Sequence, residues 1–203
     1  MSPRGVAIPD LRDRLFAAAE RVVAREGAAA LTSRAVTAEA GCAKGVLHTH
    51  FAGLDEFISE LVLDRFARSA RHAEELSGRV GHGRVADNLA EVALALLDSL
   101  DPAVVGLAMT RPGASLHTRQ ALESGAPGFA AMQQSITGYL EAERQLGRVA
   151  QDIDAVTTAL ALVGAVHHLL MTRSPDAPLD ARDTTERLVA LLLGDGSQRV
   201  HTS

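Results

Sequence analysis

The chain has 203 residues, 47% of them apolar and 3% aromatic, with no Trp and a formal charge of −5. That length suits one large domain or a small one joined to a larger one, and a core built mostly from Leu, Val and Ala favours helix over sheet. A single cysteine, Cys42, excludes an internal disulfide framework and a multi-cysteine metal site.

Residues 1–10 are polar and broken by Pro3 and Pro9. They lack the charged-then-apolar pattern of an export leader, so a cytoplasmic protein is expected. Leu11, Leu15, Ala18, Val22 and Val23 recur at helical spacing and predict a first helix over 10–26, closed by Gly27. Thr32 or Ser33 caps a second helix over 33–40, with Val36 and Ala40 inward. Gly41 permits a sharp turn. A third helix is predicted over 43–51, with Leu47 and Phe51 inward and four residues apart.

After Gly53, a longer amphipathic helix over 54–76 presents Phe57, Leu61, Phe66 and Ala70. Gly78, Gly81 and Gly83 mark a loop. Further helices are predicted over 84–100, 102–110, 114–124, 127–146, 153–172 and 181–193, bounded by Pro, Gly or Asp. About ten helices and no strand result, with a frayed tail at 196–203. The longest uncharged run, 155–172, holds Gly164, His167 and His168 and barely reaches spanning length. A buried soluble helix is expected there, and no membrane partner.

Charge is uneven along the chain. Residues 1–51 hold seven Arg or Lys against five Asp or Glu, a net +2, and the remainder holds 13 against 20, a net −7. A weakly basic start on an acidic body fits local anion binding. Lys44 is the only lysine of the chain. It stands at the start of a short helix beside Gly45, Thr49 and two histidines, a combination suited to phosphate and base edges.

Leu31-Thr32-Ser33-Arg34, the Ala40-Gly41 turn, Lys44-Gly45-Val46-Leu47 and His50-Phe51 together resemble the DNA-binding part of tetracycline-repressor (TetR) family regulators, over about residues 10–63. The resemblance implies an all-α fold: a helix-turn-helix domain at 1–53, then a helical ligand-binding and dimerisation domain at 54–203. It implies a homodimer on a palindromic double-stranded operator, acting as a repressor released by a small molecule. Carried over by position, Thr32 and Ser33 meet phosphate and Arg34 reaches a base edge. Ala43, Lys44, Gly45, Val46, His48, Thr49 and His50 line the major groove. Two positions depart from the family pattern. His48 stands where Tyr is usual, and Leu54 where a Lys is frequent, which predicts fewer phosphate contacts and less salt-sensitive binding.

The chemistry of these side chains agrees with that role. A helix fits the major groove, where each base pair shows a distinct donor and acceptor pattern, and the residues at its N-terminus lie nearest the bases. Lys44 donates to guanine or phosphate, Gly45 allows close approach, Val46 offers a methyl surface to thymine, and Thr49 donates or accepts. Arg34 suits a bidentate pair with guanine. Arg4 is a candidate for a minor-groove or phosphate contact. Cys42 reads as a small buried thiol.

The helices after residue 84 offer more apolar surface than one core stripe requires. Leu89, Leu96, Met109, Phe129, Met132 and Ile136 are candidates to line an effector cavity, with Arg111, His117, Gln133 and His167 as orienting polar groups. An anionic ligand group opposite Arg111 is one expectation. The run 153–172 is apolar on two faces and must be covered on both. Val156, Leu160, Val163, Gly164 and His167, with Leu188, Val189, Leu191 and Leu192 on a second helix, are therefore expected to form a four-helix dimer interface.

Two other functions stay open on sequence. One is a DNA-binding activator or architectural factor without ligand control. The other is a metal protein or enzyme. His48 and His50 are two apart and His167 and His168 adjacent, so neither pair converges on a helix, and no HExxH, nucleophile-elbow, CxxC or phosphate-loop motif is present. No catalytic residue, metal site or cofactor is expected.

Overall fold

The computed structural model describes residues 11–99, 102–172 and 180–194. Arg4 and the expected tail at 196–203 lie outside them. The described residues form ten α-helices and two 3-10 turns, with no strand. The fold is all-α, with a three-helix head and a larger helical body.

The head comprises α1 (Leu11–Glu26), α2 (Ser33–Glu39) and α3 (Val46–His50). Leu15, Phe16, Ala18, Ala19, Val22 and Val23 of α1 are all buried. Gly27, at φ 82°, breaks the chain there, and a 3-10 turn at Ala28–Ala30 leads into α2. Thr32 caps α2, its hydroxyl oxygen accepting from the Ala35 amide at 3.1 Å.

The third helix is shorter than its predicted span of 43–51. Residues 43–45 form a turn, closed by the Val46 amide donating to the Ala43 carbonyl at 3.0 Å. Gly45 and the run Val-Leu-His-Thr-His hold few strong helix formers, so local propensity does not extend α3 beyond about one and a half turns. Phe51 leaves the helix with φ −137° and is only 5% exposed.

The body begins with α4 (Leu54–Glu74), which ends in a 3-10 turn at Glu75–Arg79. Then come α5 (Val85–Asp98), α6 (Pro102–Thr110), α7 (Pro112–Glu123), α8 (Phe129–Gln145), α9 (Ala155–Thr172) and α10 (Ala181–Leu192). Helix α7 starts at Pro112, two residues before the predicted start, because proline is well suited to the first helical turn. Helix α9 starts at Ala155, not 153, where Asp154 accepts from the Thr157 amide at 2.6 Å. Hydrogen bonds from the Thr157 hydroxyl first, and from its amide second, hold the Asp154 carboxyl below its ordinary range.

Helix α4 joins head to body. It packs on α5, α6, α7 and α8, while α6 also touches α1 and the first 3-10 turn. Phe16, Phe51 and Phe57 form a triangle with centroids 5.0–6.0 Å apart, tying α1, the end of α3 and α4 into one core. At the other end of α4, polar groups close the fold. Asn88 donates to the Tyr139 hydroxyl at 2.8 Å. Fully buried Glu143 accepts from the Gly81 amide at 3.0 Å and pairs with Arg148 at 3.2 Å. Burial, with the Glu143 charge, raises the Tyr139 phenol above its ordinary range, against the Asn88 hydrogen bond.

Candidate nucleic-acid interface

The segment 43–50 alternates between anchor and surface within a few residues. Leu47 is fully buried and Phe51 nearly so, and Val46 is half-buried. Ala43, Lys44, Gly45, His48, Thr49 and His50 are exposed. The two anchors therefore fix the helix and turn six neighbours toward solvent. Gly41, at φ 66°, sets the turn between α2 and α3 in a region that side chains disfavour. The Cys42 amide closes that turn on the Thr37 carbonyl at 2.9 Å. Cys42 is half-buried, not buried as its residue type suggests, with its sulfur 3.5 Å from the Ala40 carbonyl.

On α2, Thr32 and Arg34 are exposed and Ser33 half-buried. Because the Thr32 oxygen serves as the cap acceptor, its hydroxyl proton stays available to a phosphate oxygen. Thr49 is committed the other way. Its hydroxyl donates to the Gly45 carbonyl at 3.2 Å, leaving it an acceptor toward DNA. Arg34 and Lys44 have no hydrogen-bond or ion-pair partner among the described residues.

The other head arginines are occupied. Arg12 pairs with Glu60 of α4 and lies over the Phe16 and Phe51 rings at 5.2 and 5.8 Å. Arg14 donates to the Ala40 carbonyl at 2.9 Å, so α1 holds the end of α2. Arg21 and Arg25 both clasp Glu39, at 2.7 and 3.0 Å, and hold its carboxyl below the ordinary range. Sequence spacing places these arginines only off the apolar face of the first helix. Only the packing of α1 against α2 and α4 reveals them as clamps.

The candidate effector residues separate into three groups. Leu89, Leu96, Met132 and Ile136 lie in the core, and half-buried Phe129 stacks between Phe66 at 4.9 Å and exposed His167 at 4.8 Å. Gln133 is half-buried on the same helix. Met109 is 66% exposed and His117 is exposed, so neither faces the interior. Met109 lies next to the last residue of α6, and His117 lies on an exposed face in the middle of α7. Arg111 meets an anion of the protein itself, donating to Asp55 at the start of α4 at 2.6 Å.

That contact belongs to a tight seam. A methyl group at Gly113 would overlap Asp55 Oδ2 and sit 3.0 Å from its Cγ, so α7 approaches α4 closely. Thr118 donates to the buried Ser59 hydroxyl at 3.0 Å. The Pro112-Gly113 pair, read on sequence as a break, was the one available signal of this approach.

The candidate interface residues divide similarly. Val156 is 51% exposed and Leu160 57%, with Gly164 and His167 also exposed along one line of α9. Val163 is 6% exposed and packs into its own core, because it falls on the face shared with Ala159 and Leu162. Leu188 and Leu192 are half-buried, Val189 is buried in its own core, and Leu191, also expected at the interface, stands outermost on α10 at 73% exposed. A surface groove of about 750 Å³ between α5 and α10, lined by Arg84, Asp87, Glu91, Arg182 and Glu186, was also not anticipated.

A Gly41 turn between two short helices, an outward segment anchored by Leu47 and Phe51, and an all-helical body define a helix-turn-helix DNA-binding regulator. Residues 15–61 match the family model "Bacterial regulatory proteins, tetR family". Residues 15–61 thus carry the DNA-binding region of TetR-family regulators, and the fold of the whole chain is TetR-like. Its fold is shared by GusR of Salmonella enterica, at TM-score 0.66 and 18% identity over 93% of this chain and 98% of that one. It is shared equally by a putative TetR-family transcriptional regulator from Mesorhizobium loti, at TM-score 0.67 and 17% identity over 94% and 96%. The FadR regulator of Bacillus subtilis, solved in complex with stearoyl-CoA, aligns at TM-score 0.62 and 15% identity over 89% and 97%. No curated protein matches the chain in sequence.

Proposed function

We propose that the protein is a homodimeric repressor that binds a palindromic operator and is released by a small-molecule effector. Residues 1–53 serve as the DNA-binding domain and 54–203 as the effector and dimer domain. Thr32, Ser33, Arg34 and the stretch Ala43, Lys44, Gly45, Val46, His48, Thr49 and His50 form the DNA surface. The observation that carries this reading is Lys44. It is exposed beside the major-groove segment and unpartnered among the described residues, while most head arginines are tied internally.

Dimerisation is supported by the apolar line Val156, Leu160 and Met171 on α9, with Leu191 on α10. Seven residues of α9 are buried within one chain, so this opposite face is left for a second copy. Two heads related by a two-fold axis suit half-sites about 34–36 Å apart. The effector reading draws on the core residues Leu89, Leu96, Met132 and Ile136 and on FadR, whose structure holds stearoyl-CoA. Such a regulator works in the cytoplasm, without membrane, metal, cofactor or catalytic group.

Footprinting on a duplex enriched from a random-sequence pool tests the reading. Short two-fold protection is expected, and Lys44→Ala should weaken binding about 100-fold, from roughly 1–3 kcal/mol per contact at two heads. Uniform coating of any DNA would point to an architectural factor instead. Light scattering tests the dimer: wild type should run at twice the chain mass and Leu160→Glu as a single chain. Operator release by a long-chain acyl-CoA, followed by gel shift, tests the effector class.

A further inference from the structure

We propose that DNA binding by this head is proton-linked, with His48 and His50 supplying titratable charge at the phosphate backbone, so that affinity rises as pH falls from 8 to 6. The inference rests on the reading of segment 43–50 as the DNA surface.

Between residues 11 and 53 the chain has six arginines and lysines: Arg12, Arg14, Arg21, Arg25, Arg34 and Lys44. The first four are held by Glu60, the Ala40 carbonyl, Glu39 and Glu26. Two fixed charges per described head remain free, Arg34 and Lys44. Affinity for duplex DNA grows with the number of phosphates neutralised, so two is a small number. His48 and His50 lie on the same exposed stretch and have no partner among the described residues. They are the remaining side chains there able to become cations, and histidine changes charge between pH 5 and 8.

The surroundings make that charge depend on DNA. On α2 the charged groups are Arg34 and Glu39, and Glu39 is engaged by Arg21 and Arg25. The turn before α3 contributes Lys44. On α4, Asp55 is taken by Arg111, Glu56 accepts from the Ala52 amide, and Glu60 holds Arg12. None of these four carboxylates, Glu39, Asp55, Glu56 and Glu60, is left over for the imidazoles. The unpaired charges of the same surface are Arg34 and Lys44. A phosphate seated there favours a charged imidazole over a neutral one, so complex formation takes up protons.

The test measures fluorescence anisotropy of the full chain at constant ionic strength and pH 6, 7 and 8. The probes are the duplex enriched from a random-sequence pool at pH 7 and an unrelated duplex. Each linked proton changes affinity at most about tenfold per pH unit. Wild type should bind the enriched duplex about tenfold or more tightly at pH 6 than at pH 8. His48→Gln/His50→Gln, checked for unchanged thermal melting, should bind at both pH values with the weaker wild-type affinity. Lys44→Ala should bind weakly throughout but keep the slope. A flat wild-type profile, or an unchanged slope in the double variant, would overturn the inference and assign any pH effect to other histidines. If wild type enriches no duplex at any pH, the DNA-binding reading itself fails, and this one with it.

Discussion

Head and body are stabilised in different ways. Helices α2 and α3, of seven and five residues, are too short to be stable alone. The head therefore depends on three phenylalanine rings and on arginine clamps that run from α1 to α2 and α4. The body uses long helices, a continuous aliphatic core and one buried polar cluster around Asn88, Tyr139 and Glu143. The contrast explains why the head has few cations to spare: most are used to hold short elements in place. Those left unpaired, Arg34 and Lys44, are both exposed, on the surface proposed above to meet DNA.

Several measurements would break or sharpen this contrast. The largest effect is expected at Phe57, which is fully buried where α1, α3 and α4 meet. Phe57→Ala should cost about 3–5 kcal/mol by chemical denaturation and should abolish DNA binding through loss of the head. If the head depended on its ion pairs alone, the change would be small. Gly113→Ala comes next. It forces α7 away from Asp55 and should cost about 1–3 kcal/mol, with a matching fall in melting temperature. An unchanged melt would show that the α4–α7 seam is loose.

The smallest effects concern pH and have opposite signs in the two regions. Glu39 has its carboxyl lowered by Arg21 and Arg25. The stability it lends the head is present above the ordinary carboxylate range and is lost as pH falls through that range. Tyr139 has its phenol raised by burial. The unfolded phenol ionises first, near pH 10, so stability in the body is full below that pH and declines as pH rises further. Glu39→Gln should flatten the acid limb of a stability profile, and Tyr139→Phe the alkaline limb.

Much of the head was legible in the sequence. Gly27 and Gly41 interrupt the chain where positive φ is needed, and the four-residue step from Leu47 to Phe51 marks the inward side of the exposed 43–50 segment. The length of α3 was not legible, because the turn at 43–45 and the helix after it share the same apolar spacing. In the body, the apolar surplus of 155–172 was plain, but its outward line was not. Val163 and Leu160 are both aliphatic, and burial of one and exposure of the other depends on where α5, α8 and α10 lie.

Local spacing and punctuation thus determined that the chain is helical, that it is divided near Gly27, Gly41 and Gly53, and that Lys44 stands just before a short, exposed third helix. Tertiary structure alone decided which charges pair. Arg111 finds Asp55, Arg12 finds Glu60 and Arg65 finds Glu20 across 56, 48 and 45 residues. A side chain's periodicity reports the face it occupies on its own helix. Its partner is set by how separate helices pack together, and no local pattern carries that information.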